Sequence, residues 1–182
     1  MITEDADDRL IIAEIIAGDA GVFRLLVLRY EKAVFSMGMS FFHNREDASD
    51  FSQEVFLKVF QNLFYFRGDS RFSTWLYSIA YNTGINGIKR RKEYRSLAEE
   101  EAIPDFDTPE KRALLVSARE AVKKAVAGLP ERYRICIDLF FFYDRSYQEI
   151  EIITGYPVNT IKSHIFRAKK LLQGTLGDLW ES

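Results

Sequence analysis

Cysteine is nearly absent from this chain: among 182 residues only Cys136 carries a thiol. That excludes an internal disulfide and a cysteine-rich zinc site, and it fits a reducing compartment. Proline and glycine are sparse, with four and ten residues, and they punctuate the sequence rather than forming tracts. Neither charge sign dominates: 25 Lys and Arg face 27 Asp and Glu. A whole-chain basic excess, the crudest mark of a nucleic-acid-binding protein, is therefore missing, and the distribution of charge has to decide the question. No uncharged apolar run approaches the ~20 residues of a membrane span. Residues 1–8 are acidic and lack an apolar signal core. A cytoplasmic protein is expected. The sequence has no phosphate-cradling glycine loop, no His/Cys cluster at ligand spacing and no nucleophile with an evident base. Neither a catalytic site, a metal, a cofactor nor a small-molecule substrate is expected.

What is present is helical periodicity throughout, with 47% apolar residues to supply a core. A helix over Leu10–Ala17 stops at Gly18. Phe23, Leu26, Val27, Tyr30, Val34 and Phe41 mark one buried face of a helix over Ala20–Phe42. Asn44 caps the next, whose stripe is Ala48, Phe51, Val55, Val59 and Leu63. After a break at Phe66–Ser70, with Ser70 as cap, a long helix runs from Arg71 to about Tyr94. Glu99-Glu100-Glu101, Asp105 and Asp107 then form an acidic, aperiodic tether. Thr108 and Pro109 open a helix that ends near Gly128, Pro130 opens another to Tyr143, and Ser146 caps a short one to Thr154. Gly155-Tyr156-Pro157 turns the chain into a final helix from Val158. The expected fold is all-α: two small helical domains, each with its own core, joined by an acidic flexible linker.

Two constellations carry chemistry. Short helix, glycine turn and second helix form a helix-turn-helix pattern. The second helix bears Asn159, Thr160, Lys162, Ser163, His164, Arg167, Lys169 and Lys170, with no acid before Asp178. Its stripe of Ile161, Ile165, Ala168 and Leu172 faces inward, which suits a helix in the DNA major groove. The alternative is a solvated basic helix closing an ordinary bundle. Upstream, Trp75, Ile79, Asn82, Asn86 and Lys89 share one stripe of a helix ending Lys89-Arg90-Arg91-Lys92. Aromatic faces, amides and cations together suit opened, single-stranded DNA. The alternative is an apolar core face with basic residues that merely complement the helix dipole. Gly84 and Gly87 permit either close approach of another element or a local bend.

Three segments taken in order, EDASDFSQEVFLKVFQNL from Glu46, FRGDSRFSTWLYSIAYNTGINGIKRRK from Phe66 and LPERYRICIDLFFFYDRSYQEIEIITGYPVNTIKSHIFRAKKLL from Leu129, resemble sigma factors of the extracytoplasmic-function group. The resemblance implies a non-catalytic subunit that takes core RNA polymerase to a promoter. It implies a domain over residues 1–95 that docks on polymerase and melts the minus-ten element. A linker over 96–110 leads toward the RNA exit path, and a helix-turn-helix domain over 111–182 reads the minus-thirty-five element. Residue by residue, it assigns Asp50, Gln53, Glu54 and Phe56 to the β′ clamp. It assigns Phe66, Arg67, Gly68, Asp69, Ser70, Ile79, Asn82, Asn86, Lys89, Arg90 and Arg91 to minus-ten DNA, with a flipped base captured by the loop and by Ile79 and Asn82. Trp75 supports that loop. It assigns Asn159, Thr160, Lys162, Ser163, His164 and Arg167 to minus-thirty-five DNA. The implied partners are core polymerase at its β′ clamp and β flap, promoter DNA, and an anti-sigma protein of the membrane-anchored kind.

Three features depart from the family pattern. Glu151 stands where a small residue is usual, which implies a rotated helix or a basic partner for the carboxylate. His164 replaces an arginine and implies a weaker, pH-dependent DNA contact. The run Phe140-Phe141-Phe142-Tyr143 implies an exposed aromatic surface. Two other functions compete: a helix-turn-helix regulator that never meets polymerase, and a sigma mimic that only sequesters an anti-sigma protein.

Overall fold

The computed structural model describes residues 6–97, 121–122 and 124–180. Its α-helices are α1 (Asp8–Ile16), α2 (Phe23–Phe42), α3 (Arg45–Asn62), α4 (Phe72–Leu97), α5 (Glu131–Ile137), α6 (Tyr147–Thr154) and α7 (Val158–Trp180). Short 3₁₀ turns lead into α2 and out of α3, and a π-turn, Asp138–Phe142, follows α5. Among the described residues there is no strand, as the periodicity implies. The acidic tether and the Thr108–Pro109 helix start lie outside the described residues.

Local chemistry sets the helix ends. Asn44 Oδ1 accepts from the amides of Glu46 (2.8 Å) and Asp47 (3.3 Å) and starts α3. Ser146 and Glu149 close a reciprocal capping box on α6, and Gly155, at φ +73°, ends it in the left-handed conformation. Ser70 does not cap α4 as expected. Its hydroxyl donates to the Arg71 carbonyl (3.3 Å), and the first α4 bonds run to that carbonyl, one residue later.

The N-terminal core lies where α2, α3 and α4 meet, closed at one end by α1. Leu26, Val34, Val55, Val59, Leu63 and Leu76 are fully enclosed there. Burying each such side chain stabilises the fold by roughly 1.5–3 kcal/mol. Every member of the predicted α3 stripe is buried. Gly84 resolves in favour of close approach. A Cβ there would lie 2.4 Å from the Phe41 ring of α2. Gly87 stands beside Phe42 in the same way, its Cβ 2.9 Å from the ring.

The C-terminal core joins Ile135, Cys136 and Leu139 to Ile150 and Ile153 of α6 and to Ile161, Ile165 and Ala168 of α7. The helix expected to run from Pro130 to Tyr143 ends at Ile137 and widens into the π-turn. Consecutive aromatics cannot share one helical face. The turn keeps Leu139 inside, stacks Phe140 on Tyr147 (5.0 Å) and leaves Phe141 and Phe142 exposed.

The two domains also pack on each other, chiefly α6 against α4. Thr74, fully buried, donates to Glu149 (2.9 Å), and Arg145 donates to Ser73 (3.0 Å). Tyr143 donates to the Ala33 carbonyl (3.0 Å), and Ser40 donates to Asp138.

Candidate nucleic-acid interface

The α4 stripe divides by depth. Trp75 is half-buried, 5.2 Å from Phe66 and 5.8 Å from Phe72 between ring centroids, and so braces the loop at Phe66–Ser70 from below. Within that loop Arg67, Gly68 and Asp69 are exposed, and Gly68 turns the chain at φ +76°. Ile79 is half-buried against the core. Asn82, Asn86 and Lys89 project to solvent, while Leu76, Ala80 and Thr83 fill the opposite face.

Arg90 and Arg91 do not continue the free stripe. Arg91 pairs with Asp47 of α3 and lies over the Phe42 ring, 4.8 Å from its centroid. Arg90 approaches Glu54 (3.7 Å), which also holds Lys58 (2.7 Å). Residues expected to serve two different partners thus line one groove of about 560 Å³, which includes Asp50. Helical spacing could have found this, because Asp47, Asp50 and Glu54 fall on one side of α3. The pairing across to α4 is a tertiary fact. Asp50 and Gln53 are exposed and Glu54 is half-exposed, whereas Phe56 is a core residue, 9% accessible.

On α7, Asn159, Lys162, Ser163 and Arg167 are exposed and Thr160 is half-buried. Phe166, missed in the sequence reading, is 69% exposed in the middle of this face. Its position seven residues after Asn159 was the available signal. His164 turns inward instead. Its ring packs between Tyr133 (5.2 Å) and Tyr156 (5.3 Å), with Nδ1 3.7 Å from Cys136 Sγ. Burial, then the charges of Arg132 and Arg167, hold its pKa below the usual histidine value. His164, expected at the minus-thirty-five element, is thus part-buried between two tyrosines rather than standing out with Lys162 and Ser163. Glu151 pairs with no basic group among the described residues: it stays exposed and accepts from the Val158 amide (3.2 Å), capping α7 across the turn.

The chain matches Sigma-70 region 2 over residues 26–94 and Sigma-70 region 4 over residues 119–172. It is 33% identical to the RNA polymerase sigma-H factor of Pseudomonas aeruginosa, with 98% of each chain covered. The chain belongs to the extracytoplasmic-function group of the sigma-70 family. This sigma factor is likewise 34% identical to the sigma-E factor of Escherichia coli K12, again over 98% of each chain. Its fold is that of the sigma factor RpoE solved with the anti-sigma factor NepR from Bartonella quintana (TM-score 0.68, 23% identity, 85% of this chain and 96% of that one). CnrH solved with the cytosolic domain of CnrY is equally similar (TM-score 0.69, 24% identity, 94% and 97%). The sigma factor directs promoter-specific transcription initiation through regions 2 and 4, as a non-catalytic subunit. The plain regulator and the mimic are set aside. No helix among the described residues is long and apolar enough to cross a membrane.

Proposed function

We propose that the sigma factor divides its work between its two constellations. Residues 1–95 dock on core polymerase and open the minus-ten element, 96–110 thread toward the RNA exit path, and 111–182 read the minus-thirty-five element and meet the β flap. Asp50, Gln53 and Glu54 form the face that meets the β′ clamp, with Phe56 supporting it from beneath. Asn82 reads the edge of a flipped minus-ten base held between Ile79 and the loop from Phe66 to Ser70, while Asn86 and Lys89 follow the strand. Asn159, Thr160, Lys162, Ser163 and Arg167 engage the upstream duplex. The protein works in the cytoplasm under an anti-sigma protein of the membrane-anchored kind.

The carrying observation is the segregation on α4. Exposed Asn82, Asn86 and Lys89 continue from an aromatic-braced loop, and the other side of the helix is core. Reconstituted transcription with core enzyme tests the reading. Asn82→Ala should lower promoter opening on the order of tenfold, as expected for a lost base-edge contact, with core binding little changed. Equal loss of both in a folded variant contradicts the role.

A further inference from the structure

A second cationic cluster lies behind the exposed face of α7. Tyr133 of α5 is buried at 8% accessibility, and its hydroxyl lies 3.5 Å from Arg167 Nη1. The Arg132 guanidinium sits over the same ring, 5.1 Å from its centroid. Lys170, one turn beyond Arg167, lines the adjoining groove of about 700 Å³ with Tyr133, Arg167 and Thr175. The groove is open: a Cβ at Gly174 would meet nothing within 4 Å. Arg132, Arg167 and Lys170 make no ion pair with any described residue. The field they create is legible in their neighbours. Hydrogen bonds from Arg167 and Arg132 lower the Tyr133 pKa, and the same two charges help to lower that of His164.

Three cations gathered around a phenol repel one another until an anion arrives. Forked guanidinium groups suit an anion with several oxygens. The position along α7 indicates which anion. Arg167 follows Asn159 by eight residues, or about 12 Å of helix rise, which is comparable to the ~12 Å width of the major groove. With Asn159 at base edges, Arg167 and Lys170 have reached the wall of the groove, where the phosphates run.

We propose that Arg132, Arg167 and Lys170, with the Tyr133 hydroxyl, clamp one backbone phosphate flanking the element that α7 reads. Arg132 and Tyr133 act as positioning residues that fix the register of α7 and carry no sequence information. The proposal rests on the reading of α7 as a duplex reader.

The test uses the full chain and a short mixed-sequence duplex, with affinity measured over a salt series. Wild-type protein should bind with log-affinity falling linearly in log-salt. Arg132→Ala should reduce that slope by about one, so that a tenfold rise in salt erodes its affinity roughly eightfold less. Arg132→Lys should restore most of the slope, which a mere packing role for the guanidinium over the Tyr133 ring would not. An unchanged slope in a folded Arg132→Ala protein overturns the clamp. So does a loss confined to one preferred sequence, which would make Arg132 a base reader, and so does displacement of the duplex by inorganic phosphate at matched ionic strength to the same degree in both proteins, which would place the site off the DNA. If wild-type protein shows no salt-dependent duplex binding, the duplex reading of α7 falls first and the clamp with it.

Discussion

Replacing Asp47 by Asn should strengthen the binding of single-stranded DNA, although the residue itself need not touch the strand. Its carboxylate holds the Arg91 guanidinium against α3, and the two side chains are 27% and 46% exposed. A pair this open to water is screened, so its net worth lies at about 0.2–1 kcal/mol. Freeing Arg91 for a phosphate therefore raises affinity by roughly 1.5- to fivefold. Removing any negative charge near DNA also helps, and that general effect must be separated. Asp50 provides the control, because it lines the same groove but makes no ion pair with any described residue. Fluorescence anisotropy with a labelled single strand and full-length Asp47→Asn and Asp50→Asn proteins supplies the comparison at two salt concentrations. The Asp47 variant should exceed the Asp50 variant at low salt, and the gap should narrow at high salt. Equal gains in the two variants, or weaker binding by Asp47→Asn, would refute the reasoning that the arginines are held back by their partners on α3.

Two further expectations concern packing and pH. Gly84→Ala places a methyl carbon 2.4 Å from the Phe41 ring, so overpacking should cost about 1–3 kcal/mol in urea unfolding; an unchanged midpoint would mean that α2 and α4 separate freely. At Glu149, burial works to raise the pKa, but hydrogen bonds from the Ser146 backbone, Thr74 and the Ser146 hydroxyl, with the Arg145 charge, outweigh it and the net shift is downward. Its contribution to stability is thus present above the ordinary glutamate value and lost as pH falls through the lowered one. Thermal melting across the acid range should show that loss in wild type and a flatter profile in Glu149→Gln; parallel profiles would remove Glu149 from the acid-sensitive groups.

Much of the architecture was legible because period and punctuation agree in this chain. The α3 stripe from Ala48 to Leu63, the Asn44 cap and the Ser146–Glu149 box are local patterns, and local hydrogen bonds realise them. Periodicity predicts plain helix through Phe140–Tyr143 because four successive aromatics give no facing preference; in the fold Phe140 stacks on Tyr147 and the run forms the π-turn. The candidate interface was legible in its exposed residues, Asn82, Asn86, Asn159 and Lys162, which are polar and stand on the outward side of their stripes. It was not legible where a polar side chain found a partner from a distant element. His164 looks like a surface residue in sequence, yet two tyrosines and Cys136 draw it inward. Arg90 and Arg91 look like the free end of a basic helix, yet α3 supplies their counter-charges. Glu151 looks misplaced until the turn brings the Val158 amide to it.

The contact between the two domains has the composition of a surface that can be wetted. Tyrosines dominate its rings: Tyr77 meets Tyr143 at 5.2 Å, and Tyr81 lies near Tyr156. Ser40, Ser73, Thr74, Arg145 and Glu149 supply further links, and Tyr143 donates to the Ala33 carbonyl. Each of these side chains has a hydroxyl or a charge that water can satisfy, so parting the halves exchanges hydrogen bonds rather than stranding them. An aliphatic seam of the same extent would leave a sticky patch on both halves. A contact of this composition can part without leaving an aggregation-prone surface on either half.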